Sequence, residues 1–64
     1  MSATATDRLT VSALTREDAK DIARRQWETF GFRVLRILEV ESASRFEAVE
    51  SNRWIVIADV EVRR

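Results

Sequence analysis

Gly31 is the only glycine among the 64 residues, and it stands where the hydrophobic period changes. Before it, in LTREDAKDIARRQWETFGF, Ala19, Ile22, Ala23, Trp27 and Phe30 recur at intervals of three and four. That spacing gathers them into one apolar stripe along a helix. After it, FRVLRILEVE is rich in branched side chains and ends at Ser42, Ala43 and Ser44, the pattern of a strand. A glycine at such a junction supplies the left-handed backbone that ends a helix. Thr15, with Asp18 three residues on, marks the helix start as a capping box. Glu17, Asp18 and Asp21 occupy the early turns, where the helix dipole favours anions. Asp21 with Arg25 and Arg24 with Glu28 are spaced for ion pairs of about 0.2–0.5 kcal/mol each.

The remaining segments read as strands. In RLTVSAL, Leu9, Val11 and Ala13 alternate with Thr10 and Ser12. In FRVLRILEVE, strict alternation puts Phe32, Val34, Arg36, Leu38 and Val40 on one face. Arg33, Leu35, Ile37, Glu39 and Glu41 then take the other. RFEAVE is a shorter strand or a continuation, and ESN is a turn. The closing RWIVIADVEVRR divides into Trp54, Val56, Ala58, Val60 and Val62 against Arg53, Ile55, Ile57, Asp59 and Glu61. The expected fold class is α+β, with one helix packed on one face of a three- to four-stranded, mainly antiparallel sheet. Its order is β-α-β-β(-β). Residues 1–7 are small and polar and are expected to form a disordered tail, with 8–64 a single domain.

One helix covers one face of a sheet. The covered face is expected to carry Phe32, Val34, Leu38, Val40, Phe46, Trp54, Val56 and Val60. If the last strand pairs with FRVLRILEVE, the other face collects Leu35, Ile37, Ile55 and Ile57. Arg33, Arg53, Glu39, Asp59 and Glu61 would ring them, and an apolar centre with a polar rim is the anatomy of a protein–protein contact. The candidate interface is therefore Leu35, Ile37, Ile55 and Ile57 with Arg33, Arg36 and Arg53. Its occupant would be a protein partner or a second copy of the chain. The competing reading places these residues under the N-terminal tail or at a twisted end of the sheet.

Composition narrows the chemistry. A chain this short buries only about 60% of its unfolded surface, so it needs a further staple. It has no cysteine and no histidine, which excludes disulfides, thiolate or imidazole metal sites and the usual nucleophile–base pairs. Oligomerisation or a partner is the staple that remains. Eleven basic and eleven acidic residues balance, which argues against a generic nucleic-acid or membrane binder. No segment approaches the roughly 18 consecutive apolar residues of a membrane span. The absence of cysteine and of signal-peptide blocks in MSATATDR fits a cytoplasmic protein.

Few residues offer catalysis or ligand binding. Glu39 and Glu41 share a strand face and could pair as acid and base, or with Asp59 hold a divalent metal, but a solvated strand face is the favoured reading and nothing in the spacing calls for a metal. Trp27 and Trp54 could stack a ligand, but their positions are those of core residues. Arg33, Arg36, Arg45 and Arg53 could meet phosphates, or pair with Glu39, Glu47 and Glu50. No enzymatic activity, metal or cofactor is expected.

From Ala19 onward the chain resembles small phage-encoded inhibitors of type I-F CRISPR complexes, through AKDIA, Gly31, VLRI, FEAV and RW in that order. The resemblance covers about 40 residues with short gaps, by direct reading of the order of motifs. It implies a stoichiometric inhibitor that binds the backbone subunits of the surveillance complex and blocks target DNA. Arg36 and Arg53 fall on basic positions of that pattern. The chain departs from it in lacking a long N-terminal hairpin, in its longer last strand and in having one lysine. LRILEV and FEAVESNRWIVIADVEV are in turn similar to the second and third strands of dodecins, β-α-β-β proteins that form hollow flavin-binding dodecamers. Ile37 and Ile55 stand where the flavin-contacting residues are expected, so this resemblance implies self-assembly more than flavin binding.

Overall fold

The structure, a computed structural model, describes residues 3–43 and 52–62. Four elements follow one another: β1 (Thr4–Ser12), α1 (Arg16–Thr29), β2 (Phe32–Ser42) and β3 (Arg53–Val62). The strands form one antiparallel sheet in the order β1-β3-β2, with α1 packed against one face. The last strand is therefore central and pairs with FRVLRILEVE, which meets the condition set for the second face. β1 and β2, both antiparallel to it, run parallel to each other and are joined through α1. The short strand expected over RFEAVE lies outside the described residues.

The helix forms where its stripe and cap direct it. Thr15 has extended backbone, and its Oγ1 accepts a hydrogen bond from the Asp18 amide at 3.1 Å. Ala19, Ala23 and Trp27, four residues apart, are fully buried, and Ile22 packs beside them. Ala58, opposite them on the sheet, is also fully buried. Three alanines at this contact let the helix backbone approach the strands closely. Phe30 was expected to end the stripe, yet it is 65% exposed. It is the C-cap residue, already off the helical path, so its side chain leaves the stripe. Gly31 then adopts φ +91°, and a Cβ there would meet no atom within 4 Å. The glycine is thus required by backbone conformation rather than by space. Neither expected helical ion pair closes; Lys20 pairs with Glu17 at 3.2 Å instead.

Two strand expectations are corrected. First, the supposed tail of residues 1–7 is strand from Thr4 on. The distal half of β3 needs a partner, and Thr4, Ala5, Thr6 and Asp7 supply it opposite Glu61, Val60, Asp59 and Ala58. Asp7 also faces the helix, where its Oδ2 accepts the indole N–H of Trp27 at 2.9 Å. A fully buried indole without that acceptor would lose about 1–3 kcal/mol.

Second, β2 does not alternate. Its pairing with β3 skips one residue between Val34 and Arg36 and again between Ile37 and Glu39. Leu35 and Leu38 are the extra residues of two bulges. Each bulge moves the following side chains to the opposite face. Val34, Ile37 and Val40, spaced by three, therefore oppose Val60, Ala58 and Val56, spaced by two. Val40 is buried in the core, and Val34, Ile37 and Phe32 pack against it, partly buried. Arg36, expected beneath the helix, pairs with Asp59 on the far face. The physical reason is charge: an unbulged strand would bury the Arg36 guanidinium against Val60 and Trp27, at a cost of several kcal/mol.

Candidate protein-binding face

The face of the sheet away from α1 is built row by row from the register. Thr10, Ile55 and Glu41 form one row; Arg8, Ile57 and Glu39 form the next. Thr6, Asp59 and Arg36 follow, then Thr4, Glu61 and Arg33. Ile55 and Ile57 thus lie side by side in the central strand, flanked by polar residues of both edges. Both are half-buried. The aliphatic stems of Arg8, Glu39 and Glu41 border them, and long charged side chains lay such stems over apolar neighbours. No described element lies over this face.

Asp59 ties the face together. Its Oδ1 accepts the Thr6 hydroxyl at 2.8 Å, and its Oδ2 stands 3.7 Å from the Arg36 guanidinium. One carboxylate in the central strand therefore links both edges. With the Arg36 side chain 73% exposed, this ion pair contributes well under 1 kcal/mol, but it fixes charge positions.

The seven candidate interface residues are divided by this geometry. Ile55 and Ile57 share the open face as expected. Leu35, the first bulge residue, is 47% exposed and borders a shallow recess with Thr4, Ala5, Thr6 and Asp59. Ile37 is not on this face: the bulge at Leu35 turns it into the core beside Ala58. Arg33 stands opposite Glu61, Arg36 opposite Asp59 and Arg53 opposite Ser12 at the end of the sheet. The apolar centre is therefore smaller than the sequence suggests, with Leu35 separated from the isoleucines by the Asp59 row. Thr6, Arg8 and Thr10 were not foreseen here. Their alternation in TATDRLTVS was visible, but β1 had no assigned neighbour.

The other candidates resolve into structural roles. Trp27 is fully buried, and Trp54 is half-buried with its indole N–H donated to the Ala13 carbonyl at 3.0 Å. Glu39 and Glu41 flank Ile57 and Ile55 separately. Among the described residues no three acidic side chains group closely enough to hold a metal ion. Nor is any described helix long and apolar enough to cross a membrane. No protein-family model, curated protein or solved structure matches the chain.

Proposed function

We propose that this chain is a small non-enzymatic protein-binding module that docks a larger partner on its open sheet face, working in the cytoplasm. The observation that carries this reading is the pair Ile55 and Ile57, adjacent in the central strand with no described element above them. Leu35 adds a second apolar contact beyond the Asp59 row, and Arg8, Arg33, Arg36, Glu39 and Glu41 supply a mixed-charge rim. A mixed rim selects partners by charge register more than by net attraction. The specific form, drawn from the type I-F resemblance, is a phage-type inhibitor that binds a CRISPR surveillance complex and sterically blocks nucleic-acid access. The alternative is dodecin-like assembly into a homo-oligomer, supported by the element order β-α-β-β.

The decisive experiment adds purified chain to a type I-F surveillance complex and follows target-DNA binding by gel shift. The inhibitor reading expects loss of DNA binding near stoichiometric addition, and recovery with the double variant Ile55→Asp, Ile57→Asp. Unchanged DNA binding at large excess overturns it. Light scattering on the isolated chain separates the alternative: a mass near twelve chains supports assembly and removes the inhibitor.

A further inference from the structure

On the opposite layer, Arg16, Lys20 and Arg24 form a basic row. They are four residues apart, so they lie on one side of α1 at intervals of about 6 Å. Each sits one position after or three before the buried row Ala19, Ala23, Trp27, which turns the basic row toward the sheet rather than straight into solvent. There it meets β2. Arg16, Lys20 and Arg24 line one cleft of about 240 Å³ with Ile37, Leu38, Glu39 and Val40.

Two features of this cleft point to an anionic ligand with an apolar contact. Of the three cations, Lys20 has an ion pair, with Glu17. Arg16 and Arg24 have none among the described residues. The helix's other acids, Asp18, Asp21 and Glu28, fall outside the cleft lining. The floor holds Leu38, the second bulge residue, which is 39% exposed although Ile37 before it and Val40 two residues on pack on the core side. Glu39 is the one carboxylate on the lining, and its pairing opposite Ile57 assigns it to the open face.

We propose that this cleft binds an extended acidic peptide segment of a partner protein. Alternate residues of an extended chain are about 6.6 Å apart, close to the roughly 6 Å step of the basic row. Three carboxylates at alternate positions therefore stay in register with Arg16, Lys20 and Arg24. An apolar side chain of the same segment covers Leu38. Recognition falls to side chains because the bulges at Leu35 and Leu38 interrupt β2 as a template for added strands. Phosphates of a single-stranded nucleic acid would meet the same cations, but such sites add aromatic stacking platforms. The cleft lining contains no aromatic residue, and the chain carries no net charge. This favours the peptide. The open face lies on the other side of the sheet, and of the residues named for it only Glu39 also borders the cleft.

The test uses a fluorescein-labelled synthetic peptide alternating glutamate and serine around one central leucine. Its partner controls are the same peptide with glutamine for glutamate and a poly-dT oligonucleotide of equal length. Binding is read by anisotropy. The glutamate peptide is expected to bind at least about tenfold more tightly than the glutamine peptide, the sum of two or three exposed ion pairs. The double variant Arg16→Glu, Arg24→Glu is expected to remove that preference while keeping its helical circular dichroism, and Leu38→Ser to weaken binding a few-fold. Ile55→Asp with Ile57→Asp should leave it unchanged. Equal binding of the two peptides, no binding at all, or retained preference in the Arg double variant overturns the proposal. Tighter binding of poly-dT than of the glutamate peptide also overturns it and makes the cleft a phosphate site.

Discussion

β1 and β2 flank the same central strand, yet they meet it differently. β1 pairs with β3 over nine consecutive residues without a skip, from Thr4–Glu61 to Ser12–Arg53. β2 pairs over a similar length but skips at Leu35 and at Leu38. The cause is the placement of apolar residues. In β1, Leu9 and Val11 are two apart and both reach the helix face with no adjustment. In β2, Val34, Ile37 and Val40 are three apart, so a regular strand could bury only alternate members. Two bulges bring all three to the same face and release Arg36 to the other, where Arg33, Glu39 and Glu41 also stand. Burial of branched side chains, at about 1.5–3 kcal/mol each, outweighs the few ladder hydrogen bonds that two bulges disturb.

Substitutions break or sharpen this contrast. The largest effect is expected at Ile37. Ile37→Asp should destabilise the fold by about 3 kcal/mol or more, because it places a charge in the core, whereas Leu35→Asp should stay within about 0.5 kcal/mol. Urea denaturation of the two variants reads this directly; the reverse order would show that β2 alternates after all. Next comes Asp7, the β1 residue that faces inward. Asp7→Ala should cost about 1–3 kcal/mol by stranding the Trp27 indole N–H, and Asp7→Asn, which keeps a carbonyl acceptor, should cost less. A null effect of both in thermal melts would remove β1's role in holding the helix.

Gly31→Ala tests the junction that leads into β2. With φ +91° and open space around it, the penalty is conformational, about 1 kcal/mol, visible as a lower urea midpoint without loss of helix content. The smallest effect is expected at Asp59, the residue that joins the two edge strands. Asp59→Asn should change stability by less than about 0.5 kcal/mol at moderate salt, with the difference shrinking further as salt rises. A larger, salt-independent loss in Asp59→Ala, which also removes the acceptor, would mean that the Thr6 hydrogen bond, rather than the Arg36 pair, carries the link.

This contrast also explains which parts of the candidate face could be read in advance. Ile55 and Ile57 were assigned to it correctly because β3 is central and unbulged on its β1 side, so its alternation survives intact. Strict alternation puts Ile37 there too, but β2 skips a partner at Leu35 and turns it to the helix side. The same alternation puts Arg36 beneath the helix. Nothing local to VLRIL distinguishes the two registers; the competing hint was the interval of three between Val34, Ile37 and Val40, which alternates in no strand. The basic row was legible as spacing, but its meeting with Leu38 depends on the second bulge and lay beyond any local pattern.

By itself the sequence determined the elements that rest on neighbours in the chain. These are the Thr15 cap, the buried row Ala19, Ala23 and Trp27, the turn at Gly31, and the two-sided character of β3. Each follows from backbone conformation or from periodicity over a few residues. Tertiary structure decided what depends on partners distant in sequence: that Thr4–Asp7 join the sheet, that β2 bulges twice, that Phe30 stays in water, and which charges border Ile55 and Ile57. Those outcomes are set by competition for burial beneath one small helix, and that competition exists only once the strands and the helix have met.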